Sequence, residues 1–213
     1  MILGTLLSDP MIFIAWVVAI LIVLSVHEFS HALASALMGD DTAKSLGRLT
    51  LNPISHVSGV GFLMLLLVGF GWGKPVPYNP YNLKYQKWGP ALVALAGPAS
   101  NLLLAIFSGI VLKIIAGMNI LPPENLLFQF LNIFVILNVI LMLFNLIPIP
   151  PLDGSKVLFS ILDGERFRNF RSFLETRGPI LLLILLILDN VVGLNIFGYF
   201  FNAIIEFVYS LIF

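Results

Sequence analysis

Long apolar runs separated by short polar stretches dominate this chain, and their lengths predict membrane-spanning helices. At about 1.5 Å per residue, a helix of about 20 residues crosses a hydrocarbon core of about 30 Å. Three runs reach that length, and a fourth apolar stretch predicts either one long bent span or two shorter ones; they cover about 10–38, 88–117, 124–147 and 178–213. The residues before Pro10 are expected to form a short tail.

The apolar segment 57–72 differs from these runs because it is short and rich in glycine. Its residues would reach only about 24 Å as a helix, which is less than a full crossing. Glycine lies towards both ends, at Gly59, Gly61, Gly69 and Gly71. The segment therefore predicts a re-entrant hairpin, or strands. The expected fold is an all-α polytopic membrane protein with about five to six membrane segments, forming a single domain over 1–213.

Composition supports this fold class and excludes several others. Of the 213 residues, 59% are hydrophobic and 10% are charged, which leaves no room for a separate soluble domain. The chain has no cysteine, so disulfides and thiolate ligands are excluded. The zero formal net charge argues against a nucleic-acid partner. The N-terminus has neither a basic region nor a small-residue cleavage site, so the first run is expected to be a retained span.

The lower end of the first run carries three ionisable side chains within five positions, His27, Glu28 and His31. Residues four apart share a helix face, so both imidazoles can reach one ion. Glu28 is offset by one position and can hold a water bound to the same metal, as in zinc peptidases with an H-E-x-x-H motif. Alternatively, the two histidines hydrogen-bond to neighbouring helices. Burial at lipid depth favours the cation.

Two later residues are candidates to complete such a site. Asp153 follows a proline-rich run in an extended or turn conformation, and Asp-Gly taken alone would be a simple turn. In a chain with few carboxylates, however, Asp153 is the best candidate for a third metal ligand. His56 follows Pro53 on a predicted loop near the membrane surface, where it is a solvated side chain, a metal ligand or a donor to an oxyanion.

Polar and small residues also interrupt the later spans. Pro98 is expected to kink the second span, and the small residues around it allow close helix packing. Asn101 needs a hydrogen-bond partner in lipid, so it either stabilises packing or steadies a site. In the third span, three asparagines lie roughly on one side: Asn132, Asn138 and Asn145.

The distribution of basic residues predicts the topology. Two Lys or Arg lie in 39–56, three in 73–87 and five in 153–177, whereas the N-terminal tail and the loop around Pro122 have none. If 57–72 is re-entrant, all ten lie on one side of the membrane, as the positive-inside rule expects. This arrangement brings Asp153 to the same cytoplasmic side as His27 and His31. A full crossing of 57–72 would instead place eight of these charges outside.

Taken in order, these motifs resemble the site-2 protease family of intramembrane zinc metalloproteases, in its short prokaryotic form without a PDZ domain. The resemblance rests on four segments: His27-Glu28-Phe29-Ser30-His31, Asn52-Pro53-Ile54-Ser55-His56, Gly97-Pro98-Ala99-Ser100-Asn101, and the run from Asn145 to Gly154. It implies that His27, His31 and Asp153 bind one Zn²⁺ per chain and that Glu28 is the catalytic acid and base.

The resemblance also suggests roles for two further residues. Asn145 matches an asparagine implicated in substrate or transition-state contacts, and His56 matches the histidine of the family's N-P-x-x-H segment. Ser58 departs from the family pattern, because members often carry aspartate two residues after that histidine. The sequence lacks the PDZ insertion and the regulatory nucleotide-binding appendage of other branches.

The implied function is hydrolysis of peptide bonds in membrane-spanning substrates, which is regulated intramembrane proteolysis. Its partners would be single-span membrane proteins and the lipid bilayer, with a multi-pass chain in the cell membrane and an active site towards the cytoplasm. The alternative is a membrane metal-ion transporter or metal-binding protein that uses His27, His31 and Asp153 as an ion relay. A relay needs polar residues through several spans to both faces, and the outer side offers few. The sequence leaves the substrate and the oligomeric state open.

Overall fold

A computed structural model describes residues 2–68, 71–191, 193 and 195–213, so Gly69 of the glycine-rich segment lies outside the described residues. Its helices are α1 (Ile2–Ser8), α2 (Pro10–Leu37), α3 (Thr42–Ser45), α4 (Pro53–His56), α5 (Gly59–Val68), α6 (Gly89–Gly117), α7 (Leu126–Asn145), α8 (Gly154–Ile161), α9 (Arg168–Val191) and α10 (Ile196–Ile212). Short 3₁₀ turns lie at Pro80–Asn82 and Glu165–Phe167. Over the described residues the fold is all-helical, as predicted. The expected N-terminal tail is instead the helix α1.

Three helices, α2, α6 and α7, are long and apolar enough to cross a membrane. They match three of the predicted spans and pack against one another. Small residues of α2, Ala15, Ala19 and Val23, meet Ile133 and Phe134 of α7 in one buried cluster. The second cluster joins α6, α7 and α10 through Ala105, Leu112, Val135, Val139 and Ile212. The first cluster holds the upper half of α2 against α7, and the second holds α6, α7 and α10 together.

The residues at the two ends of the glycine-rich segment lie side by side. Val57 and Gly73 form an isolated antiparallel bridge, and the Lys74 N–H donates to the His56 carbonyl over 2.7 Å. Gly61 lies so close to Trp72 that an added Cβ would collide with the Trp72 carbonyl oxygen. Within the segment Gly59–Val68 is helical, and the described residues contain no strand, so the alternative prediction of strands is wrong here. A helix satisfies its backbone hydrogen bonds internally, which isolated strands cannot do.

A buried carboxylate joins the loop after α2 to the extended stretch before α6. Asp40 is fully buried and accepts hydrogen bonds from Thr42 Oγ1 at 2.6 Å, from the Asn79 N–H at 2.8 Å and from Asn82 Nδ2 at 3.0 Å. Burial raises the pKa of this carboxyl, but these donors outweigh burial and hold the pKa below its ordinary value. The charge is therefore kept, and it ties residues near 79 to the lower end of α2.

The C-terminal stretch forms two helices rather than one, and α9 begins among the basic residues of 153–177 and continues into the first half of the last apolar stretch. At their junction, the Asp189 carboxylate accepts from the first N–H groups of α10, those of Ile196 at 2.5 Å and Phe197 at 3.3 Å. α10 runs antiparallel to α7, because contacts join them in reverse order: Phe144 with Phe197, Asn132 with Tyr209, and Phe128 with Phe213.

Candidate active site

Three side chains converge below the middle of α2. His27 Nε2 and His31 Nε2 lie 3.0 Å apart, and each is 3.2 Å from Asp153 Oδ2. The histidines come from consecutive turns of α2, and Asp153 comes from the residue just before α8. No other group of three or more His, Cys, Asp or Glu side chains among the described residues could hold one metal ion. The predicted meeting of Asp153 with the two histidines is thus present in the structure.

This arrangement fits a zinc ion. Two imidazole nitrogens and one carboxylate oxygen form a donor set typical of catalytic zinc, which leaves a fourth position for water or substrate. Asp153 Oδ2 is a buried atom with no hydrogen-bond partner, although it points at both imidazoles. A buried, unpaired oxygen is costly unless a cation accompanies it.

Each histidine is oriented through its other ring nitrogen. His31 Nδ1 lies 2.7 Å from the Val93 carbonyl oxygen, which can only accept, so Nδ1 carries the proton and Nε2 presents its lone pair. His27 Nδ1 lies 2.5 Å from Asn101 Oδ1. Both partners belong to α6, and Pro98 loosens that helix nearby because it cannot donate to the carbonyl one turn earlier. The predicted need of Asn101 for a partner is met at the site itself.

The proline-rich turn after α7 delivers Asp153. The turn contains a cis peptide bond between Pro150 and Pro151 and folds back so tightly that a Cβ on Gly154 would collide with the Leu146 carbonyl oxygen. Asp153 then has helical backbone angles at the start of α8. Burial raises the pKa of its carboxyl, but the imidazoles of His27 and His31, each 3.2 Å from Oδ2, lower the pKa to about 2. The carboxylate is therefore ionised at neutral pH and can act as a ligand.

Gly97 brings the backbone of α6 directly against the metal group. A Cβ at this position would lie 2.5 Å from His31 Nε2 and 2.6 Å from His27 Cε1. No side chain larger than hydrogen fits there unless the imidazoles or the backbone of α6 shift. The sequence motif around Pro98 predicts close helix packing. The structure shows that α6 packs closely here against the two histidines.

Glu28 lies beside the group and is not part of it. Its side chain is 9% exposed, and no hydrogen bond among the described residues involves its carboxylate. An acid in a site of this kind that is not bound to a neighbouring protein group is free to bind a water.

The two other predicted site residues have different surroundings. His56 is fully buried rather than solvated, because Pro53 starts a one-turn helix instead of a loop, and His56 Nε2 bonds to the Thr50 carbonyl at 2.7 Å. His56 is not in the group that could hold a metal. The Asn145 amide donates to the Leu141 carbonyl of its own helix over 3.0 Å. Catalytic roles for these two residues remain predictions.

Tyr78 is a neighbour of the site that the sequence did not single out. Gly73 packs on Leu24 and Asn79 is bonded to Asp40, so the extended stretch between them follows α2 past the histidines. Burial and the negative charge of Asp153 both raise the pKa of the Tyr78 hydroxyl. The sequence indicates only an aromatic residue at the membrane interface, because the path of an extended stretch has no periodicity to reveal it.

Comparisons with known proteins point to one class of enzyme. The family model described as Peptidase family M50 matches residues 122–188, which include Asp153. YwhC of Bacillus subtilis, which carries the name of a zinc metalloprotease, is 40% identical over 175 residues, covering 80% of this chain and 79% of its own length. Rip2 of Mycobacterium tuberculosis, also named as a zinc metalloprotease, is 30% identical over 201 residues, covering 91% of this chain and 72% of its own. No solved structure matches significantly.

This chain belongs to peptidase family M50, the site-2 protease family. It is an intramembrane zinc metalloprotease, and the resemblance seen in its motifs is confirmed. The alternative of a metal-ion transporter is not favoured.

Proposed function

We propose that His27, His31 and Asp153 are the zinc ligands and that Glu28 is the general base and acid of peptide hydrolysis. The convergence of the three ligand atoms within 3.0 to 3.2 Å carries this proposal. When bound, zinc would lower the pKa of a water and polarise the scissile carbonyl. Glu28 takes a proton from the attacking water and returns it to the leaving amine. Asn145, or His56 once its Nε2 leaves the Thr50 carbonyl, donates to the developing oxyanion.

The active site faces the cytoplasm in this proposal, in a multi-pass protein of the cell membrane. The basic residues of 39–56, 73–87 and 153–177 then lie on the inner side. The same side contains the lower end of α2 and the turn that carries Asp153.

We further propose five membrane segments, in which α2, α6, α7 and α10 cross and α5 is re-entrant. The pairing of Val57 with Gly73 supports re-entrance, because it returns the chain beside its point of entry. The antiparallel contacts of α10 with α7 along nearly the whole of α7 support a fourth crossing. In this topology both chain ends lie outside.

The substrates are proposed to be single-span membrane proteins. An apolar cavity of about 1420 Å³ lies between α2, α5, α7, α9 and α10; its walls include Leu24, Val57, Leu141, Phe144, Leu183 and Phe201. The cavity reaches Leu24, which is one turn before Glu28 in α2. Such walls stabilise a bound apolar segment by burying its surface, and they offer a polar peptide no such stabilisation. A helical substrate must unwind locally before its peptide bonds are accessible.

Cleavage of a model single-span substrate in vesicles tests the proposed function. Purified protein is expected to cut within or beside the span, to lose this activity when zinc is chelated, and to regain it with zinc but not with magnesium. Mass spectrometry of the products locates the cut. Cleavage that persists after complete removal of zinc would contradict the proposal.

A further inference from the structure

We infer that Asn138, which does not touch the metal group, is a positioning residue that sets the tautomer of His27 through Asn101. Both asparagines are fully buried between α6 and α7. Asn101 Nδ2 donates to Asn138 Oδ1 at 2.9 Å, and Asn138 Nδ2 donates to the Phe134 carbonyl at 2.8 Å. With the bond from His27 to Asn101, these form one continuous chain from the site into α7.

The direction of this chain is fixed from its far end. The Phe134 carbonyl can only accept, so Asn138 must present its NH₂ group there and its oxygen to Asn101. Asn101 must then present NH₂ to Asn138 and oxygen to His27. An oxygen at that position requires a proton on His27 Nδ1, which leaves Nε2 free to bind zinc. Each step follows from the one before, without choosing any amide orientation in advance.

Without Asn138, the orientation of Asn101 is no longer determined. A reversed Asn101 amide would present NH₂ to His27 Nδ1 and favour a proton on Nε2. That atom faces His31 Nε2 and Asp153 Oδ2, so the proton would occupy the ligand position. His31 does not share this dependence, because a backbone carbonyl holds its Nδ1. The effect is therefore specific to one of the two histidines.

Asn138→Leu is expected to weaken zinc binding about 10–100-fold, measured by competition with a chelator. The control is Asn132→Leu, which removes another α7 asparagine whose bond, from the Tyr209 hydroxyl, lies away from the site. If Asn138 only stabilised helix packing, the two variants would bind zinc alike. Equal affinities would overturn the inference.

In a second background, Asn138→Leu is no longer expected to weaken zinc binding. In Asn101→Asp, the carboxylate accepts from His27 at either oxygen, so no relay is needed to orient it. Adding Asn138→Leu to that variant is then expected to leave zinc affinity unchanged or to raise it, because it removes the oxygen facing the carboxylate. A further loss of affinity similar to that in the wild-type background would overturn the inference.

Nitrogen-15 spectra test the tautomer without any variant, and the chain has only three histidines to assign. In the metal-free protein, at a pH where the rings are neutral, His27 is expected to carry its proton on Nδ1. A proton on Nε2 would overturn the inference even if every variant failed to fold. The inference rests on the proposed ligand role of His27. If the wild-type protein binds no zinc, the ligand role is wrong. If it binds zinc and Asn138→Leu leaves the zinc affinity unchanged, only the positioning role is wrong.

Discussion

Glu28→Gln is expected to reduce cleavage of a membrane-spanning substrate by about 10²–10⁴-fold while the protein keeps its zinc. The amide has nearly the same shape as the carboxylate but cannot take a proton from water. Glu28 is outside the group of possible ligands, so metal binding should be unaffected. Initial rates on a single-span substrate and zinc content of the same preparation measure both effects.

Two further variants separate this effect from simpler explanations. Asp153→Asn is expected to lose zinc and activity together, since it weakens a ligand. Glu206→Gln makes the same chemical change as Glu28→Gln at an exposed position of α10 and should alter neither. Full activity of Glu28→Gln would rule out the proposed acid and base.

Gly97→Ala is expected to lower activity about 100-fold, because displacement of catalytic groups by about 1 Å has an effect of that size. The new methyl group would lie 2.5 Å from His31 Nε2 and 2.6 Å from His27 Cε1, well inside contact distance. Either the imidazoles or the backbone of α6 must shift. Zinc affinity should therefore fall as well, which competition with a chelator would show.

Gly117→Ala is the matched control for this change. It lies in the same helix, and a Cβ there meets no other atom within 4 Å. Alanine favours helix over glycine at both positions, so helix propensity cannot account for a loss at only one of them. Unchanged zinc affinity and activity in Gly97→Ala would mean that α6 does not lie against the ligands.

Much of the site was predictable because its signals are local or depend on charge. The spacing of His27 and His31 places them on one face of α2, and the distribution of basic residues brings Asp153 to their side of the membrane. Neither argument needs the details of packing. In the structure Asp153 Oδ2 lies 3.2 Å from both imidazoles, as both arguments require.

The other features of the site depend on contacts that the type of residue at a position does not reveal. The acceptor for His31 is the backbone carbonyl of Val93, and any residue has a carbonyl. The sequence indicates only a packing role for Gly97, because it does not show that the surface facing Gly97 is the metal group. Pro53 excludes a helix interior yet suits a first turn, which is why His56 ends a short helix rather than lying on an exposed loop.

Zinc K-edge X-ray absorption on protein loaded with one zinc per chain tests the ligand set most directly. The spectrum should require two imidazoles and a carboxylate oxygen, with the remaining position filled by a light atom. Asp153→Ala, which removes a ligand, should take up far less zinc than the unaltered protein. Three imidazoles would place His56 on the metal in place of Asp153, and that result, or a chain that binds no zinc, would contradict the account.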